Sequence, residues 1–260
     1  MFLAGVPGER ARRRQLKDKV RKVLAYIPKW LTRIGGWRNM ITNHSIEAVV
    51  FDLDGLMIDS ERFSYQILQA YAAEFDIEFT YENYKQLIGR DSDSSSTYLS
   101  EEVGIPLPPK QIMDDHWDRL TDVIIEKGRP MPGLKELIQA LQARKIRLAV
   151  ASNSRLPYVE HALEAIGVRD AFQCVFSGQE LGKSKPDPEI YLQAASCLKV
   201  LPGSCLALED SPTGMKSALA AGMRVVVVPN MDLQNENFNG AFARFQSLEE
   251  VLERLDQLLL

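Results

Sequence analysis

Cysteine and histidine are scarce, at three each in 260 residues, and no Cys-x-x-Cys pair occurs. Cys174, Cys197 and Cys205 form an odd set without zinc-ligand spacing. They predict neither a disulfide framework nor a zinc site, read as small core residues, and suit a reducing, cytoplasmic compartment. Long hydrophobic runs are also missing. Unbroken apolar stretches reach about five to seven residues, such as Val225 to Pro229, against the ~18 or more that a spanning helix requires. No strand-like run is followed by Gly-x-Gly-x-x-Gly, which argues against a Rossmann dinucleotide site.

What is present is ordinary for a soluble globular chain: 45% hydrophobic, 25% charged and 8% aromatic residues. The length suits one large domain, or a core carrying a modest insertion. The net charge of −4 hides an asymmetry, because residues 1–45 hold 11 Lys and Arg against only Glu9 and Asp18. The rest of the chain is therefore strongly acidic.

Within that basic head, Val20, Val23, Leu24, Ile27, Leu31 and Ile34 recur at helical spacing among the cations, which predicts an amphipathic helix over 14–34 interrupted at Pro28. Four readings stand: a solvated extension; Met40 as the true start; an organelle-targeting segment; and a contact to a membrane surface or a nucleic acid. No nucleic-acid partner is expected of the protein as a whole.

From residue 46 onward, short β-branched runs at Ile46–Phe51, Ile146–Ala151, Cys174–Phe176, Ser204–Leu208 and Arg224–Val228 read as buried strands. Helical patterns at 133–144, 155–166, 187–199, 212–221 and 247–260 separate or follow them. This alternation predicts an α/β fold, a doubly wound parallel sheet with right-handed crossovers. Residues 62–128 differ, with helical periodicity in 62–75, 81–88, 94–102 and 109–126. A structureless connection of that length is improbable in a compact domain, so a small all-helical domain inserted after the first strand is expected. The predicted organisation is a basic extension at 1–45, a core at 46–61 and 129–260, and the helical insertion at 62–128.

Ligands gather at the carboxyl ends of strands in an open parallel sheet, so the residues following each strand are the informative ones. The first strand ends in Phe51-Asp52-Leu53-Asp54-Gly55, and the second in Ala151-Ser152-Asn153-Ser154. The third leads to Lys183-Ser184-Lys185-Pro186, and the fourth ends in Leu208-Glu209-Asp210-Ser211. Each set alone is a common turn or cap. Their joint placement after four strands, in this order, points to one site of carboxylates, a hydroxyl and a lysine.

With these motifs, and with the trailing Ile58-Asp59-Ser60-Glu61 and Lys185-Pro186-Asp187-Pro188, residues 46–230 resemble the haloacid-dehalogenase-like hydrolase superfamily. The resemblance is to its branch with a helical cap after the first strand, which includes small-molecule phosphatases and β-phosphoglucomutase. It implies phosphoryl transfer. A phosphomonoester dianion repels a carboxylate nucleophile, so positive charge must stand beside Asp52 before it can attack phosphorus. Magnesium suits hard oxygen ligands: Asp52, the Asp54 backbone carbonyl implied by the resemblance, and Glu209 and Asp210, with Asp210 the preferred direct ligand. Lys185, the Ser152 hydroxyl and the backbone N–H groups of Asn153 and Leu53 would hold the phosphoryl oxygens. Asp54, two residues beyond the nucleophile, would protonate the departing alkoxide and then activate water. Lys183 is the rival lysine.

Asp59 and Ser60 read as loop and helix-capping residues, and Gly55 as a tight turn. Gly89-Arg90 resembles the cap's substrate-facing loop, which makes Arg90 a candidate specificity residue, with a plain surface arginine as the equal alternative. His116 and His161 fall near no motif and read as packing or solvated residues. The expected function is magnesium-dependent hydrolysis of a small phosphorylated metabolite such as a sugar phosphate. The alternatives are a mutase of the β-phosphoglucomutase type and a non-catalytic scaffold using the basic arm. Such mutases carry a cap histidine twelve residues after the nucleophile, where this chain has Ser64, which favours hydrolysis.

Overall fold

The structure, a computed structural model, describes residues 45–88 and 92–260. The expectations placed on the basic head and on Arg90 lie outside the described residues.

Five parallel strands form where apolar runs are expected: β1 (Ala48–Phe51), β2 (Arg147–Ser152), β3 (Cys174–Ser177), β4 (Cys205–Glu209) and β5 (Arg224–Val227). A two-residue β6 (Ala243–Arg244), too short to leave a sequence pattern, extends the sheet to the order β3-β2-β1-β4-β5-β6. Every pairing is parallel, and β1 lies between β2 and β4, with Phe51 opposite both Val150 and Leu208.

Successive side chains of a strand point to opposite faces. Val49 and Phe51 therefore join the core beneath α5 (Leu134–Ala143), α6 (Leu156–Ala165), α9 (Leu248–Glu253) and α10 (Leu255–Leu258), while Ala48 and Val50 join the core beneath α7 (Glu189–Leu198) and α8 (Pro212–Ala220). Burial on both faces is why β1 reads as an unbroken apolar run. The last helix, expected as one piece over 247–260, is two, separated at Arg254.

Between β1 and α5 lie the helices of the insertion: α1 (Ser60–Ala73), α2 (Tyr81–Lys85), α3 (Ser92–Glu101) and α4 (Pro109–Lys127). Thr80 caps α2 in a reciprocal box with Asn83, and α4 starts on Pro109, where no amide donor is required. Leu68, Tyr71, Phe79, Leu99 and Ile112 give this insertion a core of its own. Its two connections to the sheet meet at Ile58, which bridges to Asp54 in parallel and to Pro130 in antiparallel fashion.

The expectation of three separate core cysteines is corrected. Cys174, opening β3, is disulfide-bonded to Cys197, near the end of α7, and only Cys205 is free and buried. The helix α7 packs back on β2 and β3, which brings together two cysteines 23 residues apart in sequence. No helix among the described residues is long and apolar enough to cross a membrane.

Candidate active site

The carboxyl ends of β1, β2 and β4 deliver their motif residues to one place, because adjacent parallel strands in register end at the same level. Ligand atoms of Asp52, Glu209 and Asp210 all lie within 4.8 Å of one another. Lys185 reaches this group from the loop after β3, its Nζ 2.5 Å from Asp52 Oδ1 and 2.6 Å from Glu209 Oε1. Asn153 Oδ1 holds the Lys185 backbone amide at 2.8 Å, so the second motif positions the third. Lys183, the rival, instead pairs with Glu189 at 3.3 Å and is half exposed.

All four charged groups are buried, and Glu209 has no exposed surface. Burial pushes the Asp52 carboxyl up to about 8, with Glu209 and Asp54 adding to the rise and Lys185 opposing it. Burial also raises Asp210 well above the usual carboxylate range, with Asp52 and Glu209 contributing. For Lys185, burial disfavours the charged form, but the attraction of Asp52 and Glu209 outweighs it and the ammonium is held firmly protonated. Three carboxylates around one ammonium leave an excess of buried negative charge, a costly arrangement unless further positive charge balances it. Hard oxygen donors at this spacing fit a divalent cation such as magnesium.

The carboxylates differ in freedom. Glu209 Oε1 accepts hydrogen bonds from Lys185 and from the Tyr191 hydroxyl, and Ser211 Oγ donates to its Oε2 at 3.4 Å. A Cβ on Gly214 would fall 2.0 Å from that oxygen, so only glycine lets α8 approach so closely. Asp210, by contrast, lines the cavity and is oriented by Asn230, whose Nδ2 donates to Oδ2 at 2.9 Å. Gly55 adopts a φ of +78°, and a Cβ there would lie 2.2 Å from the same Asp210 oxygen.

Asp54 stands apart from the carboxylate group, its side chain held by four hydroxyls. Ser60 and Tyr158 each donate to Oδ1 at 2.7 Å, while Ser154 and Ser152 donate to Oδ2 at 2.6 and 3.2 Å. The capping role expected of Ser60 and Asp59 is thereby corrected: Asp59 occupies the N-cap position of α1 without a side-chain cap bond, and the Ser60 hydroxyl turns to Asp54. Leu53 is fully buried in the core, so it could meet a ligand only through its backbone.

A cavity of about 230 Å3 runs from Asp52, Asp54 and Asp210 to Glu61, Ser64, Ser95 and His116 of the insertion. It is below the ~300–1,000 Å3 of drug-sized pockets, which suits a small metabolite. His116 is not remote from the motifs, as its sequence position implied. It lines this cavity, and its Nε2 lies 3.3 Å from Ser64 Oγ, so α4 brings an imidazole to the position twelve residues past Asp52. Burial, aided by Arg155, lowers His116 to about 4 and keeps it neutral near pH 7. Its Nδ1 is buried without a hydrogen-bond partner among the described residues. Burial raises Glu61 to about 7 against the hydrogen bond from Tyr84.

Tyr158, Tyr191 and Asn230 are site residues that motif reading passed over, and Ser154 and Glu61 stand in the motifs without an assigned role. Tyr158 had one usable signal: it lies in the first turn of the helix that follows Ser152-Asn153-Ser154.

Residues 49–228 match the profile of the haloacid dehalogenase-like hydrolases. The chain belongs to that family. It is 32% identical over 215 residues to hexitol phosphatase B of Escherichia coli, spanning 82% of this chain and 97% of that protein. It is 30% identical to protein CbbY of Rhodobacter capsulatus, over 78% of this chain and 94% of the other. The crystal structure of CbbY from Rhodobacter sphaeroides in complex with phosphate superposes with a TM-score of 0.73 at 30% identity, covering 79% of this chain and 96% of that one. A hydrolase of this family, the chain thus has a phosphatase among the relatives it spans almost from end to end.

Proposed function

We propose that the protein is a magnesium-dependent phosphatase that hydrolyses a small phosphorylated metabolite, such as a sugar phosphate, through an aspartyl-phosphate intermediate. The observation that carries this reading is the buried group of Asp52, Glu209 and Asp210 tied together by Lys185, with Asp54 beside it and one cavity opening onto both. Asp52, Asp210 and the Asp54 backbone carbonyl would hold a magnesium ion, which would supply charge neutralisation for the phosphoryl group. Glu209, enclosed by Lys185 and Tyr191, orients the lysine or reaches the cation through water.

An Asp52 carboxylate oxygen attacks phosphorus while the bond from phosphorus to the substrate oxygen breaks and Asp54 gives that oxygen a proton. Asp54, now a carboxylate, takes a proton from water. The water oxygen then forms a bond to phosphorus, the Asp52 oxygen to phosphorus bond breaks, and inorganic phosphate leaves. Lys185 steadies the phosphoryl oxygens throughout, and the Ser152 hydroxyl joins it by turning its proton from Asp54 to the phosphoryl group. The helical insertion serves as a cap over the site, and its residues select the organic group.

One observation favours a second reading. The imidazole of His116 meets Ser64, the residue at the sequence position where the resemblance puts a cap histidine in mutases. A mutase interconverts β-glucose 1-phosphate and glucose 6-phosphate without net phosphate release. The test is a panel of sugar, polyol and nucleoside monophosphates with magnesium, read as released phosphate. Turnover that vanishes in Asp52→Asn and on chelation is expected. Interconversion without release would favour the mutase, and no turnover of either kind would overturn the phosphoryl-transfer reading.

A further inference from the structure

Among the four hydroxyls on Asp54, that of Tyr158 comes from a different layer of the molecule. Ser60 opens α1, Ser152 ends β2 and Ser154 follows two residues on, all at the edge of the site, whereas Tyr158 projects from α6 with its ring in the main core and only 2% of its surface exposed. The same ring is the seat for the cap. Trp117 of α4 packs on it with ring centroids 5.1 Å apart, and the Asp114–Arg155 ion pair, at 2.5 Å, ties the same two helices one turn away. Trp117 also lines the cavity. One side chain therefore touches the cap on its ring and the acid/base carboxylate on its hydroxyl.

Each oxygen of Asp54 accepts two hydroxyls. Oδ1 is held by Ser60 and Tyr158, both at 2.7 Å, and Oδ2 by Ser154 at 2.6 Å and, more loosely, by Ser152 at 3.2 Å. A buried phenol finds an acceptor as a rule, so the bond to Asp54 could merely satisfy Tyr158. The two donors on Oδ1 also set the carboxyl plane, however, and thereby the direction in which Oδ2 can exchange a proton once the more loosely held Ser152 hydroxyl turns from it to the phosphoryl group.

We propose that Tyr158 is a positioning residue for Asp54, holding Oδ1 so that Oδ2 faces the leaving oxygen, and that Trp117 makes this hold depend on a seated cap. The inference rests on the phosphatase reading above and adds the part that transmits cap position to the proton donor.

The test compares two substrates in the full chain with magnesium: 4-nitrophenyl phosphate, whose leaving group departs without a proton, and an alkyl phosphate, whose alkoxide requires one. Because kcat/KM reports the steps up to departure of the leaving group, Tyr158→Phe should lower it about 10-fold for the alkyl ester and less than about 2-fold for the aryl ester, a share of the 10²–10⁴ that acid–base catalysis provides. Trp117→Leu should move the alkyl-to-aryl ratio the same way, and adding it to Tyr158→Phe should shift the ratio no further, since both act through one hydroxyl. Equal losses on both esters, or none, would overturn the positioning role. An unchanged ratio in Trp117→Leu would overturn the link to the cap. A wild-type protein that releases phosphate from neither ester would bring down the phosphatase reading itself, a result separate from an active wild type with an unaltered ratio in Tyr158→Phe.

Discussion

Tyr191 donates its hydroxyl to Oε1 of Glu209, the oxygen that also accepts a hydrogen bond from Lys185 Nζ at 2.6 Å. With that oxygen doubly engaged and its carboxylate pressed against Gly214, Glu209 orients Lys185 toward Asp52, and Asp210 is left as the more open ligand. Glu209→Gln should therefore weaken magnesium binding about 10- to 100-fold, the range for groups that orient direct ligands, and Asp210→Asn should weaken it more. Calorimetric titration of each variant with magnesium checks the order, and the reverse order would count against it.

On the proposed reading, excess negative charge at the site would make magnesium a folding ligand as well. At free magnesium about 100 times its dissociation constant, the gain in stability should be about 2.7 kcal/mol, absent in Asp210→Asn. Denaturant titrations with magnesium and with chelator give the difference directly. Equal midpoints would show that the cation does not bind the native state.

Gly55 combines a left-handed backbone with an approach to Asp210 that leaves no room for a side chain. Gly55→Ala should cost about 1–2 kcal/mol from the backbone alone and, by displacing Asp210, should also weaken magnesium binding. Thermal unfolding and magnesium activation curves read the two effects separately. A stability loss with unchanged magnesium dependence would show that Asp210 adapts.

Glu61 titrates at about 7 in the folded protein against an ordinary value of 4.5, so between these values the folded state holds a proton that the unfolded chain has released. Stability rises with pH only where the unfolded state binds more protons, and here it binds fewer. The contribution of Glu61 is therefore fully present below about pH 4.5 and is lost as pH climbs through about 7. Glu61→Gln should flatten that part of the stability profile, measured by denaturant titration from pH 4.5 to 7.5. A wild-type slope in the variant would assign the loss to other groups.

The Cys174–Cys197 bond closes a loop between β3 and α7. For a loop of this length, restriction of the unfolded chain is worth about 3 kcal/mol, so Cys197→Ser should lose about that much stability. The same loss should follow from adding reductant to the wild type and should be absent when reductant is added to the variant. An insensitive wild type would mean that the two thiols are not bonded in solution.

Much of this fold was readable because the sheet is buried on both faces. Val49 to Phe51 could only be a central strand, and the acids that follow it had to emerge at a sheet end. The carboxylates and Lys185 were legible for the same reason, each following a strand or its loop. Tyr158 and Tyr191 were not, since an aromatic residue on the inner face of an amphipathic helix reads as core whether or not its hydroxyl has found a carboxylate. His116 was set aside because 52 residues separate it from Ser64, and only the packing of α4 beside α1 brings them together. The cysteine pair was hidden likewise, by a contact between a helix end and a strand start that no local spacing encodes.

Ile58 closes both ends of the inserted helices onto a single point of the chain, bridging to Asp54 on one side and to Pro130 on the other. The chain between those two crossings can therefore change in length without moving the Asp54 loop, provided that Ser60 keeps its bond to Asp54 and Trp117 its contact with Tyr158. Beyond those two contacts, changes in the insertion fall on the walls of the cavity and leave the strand-end carboxylates where the sheet holds them.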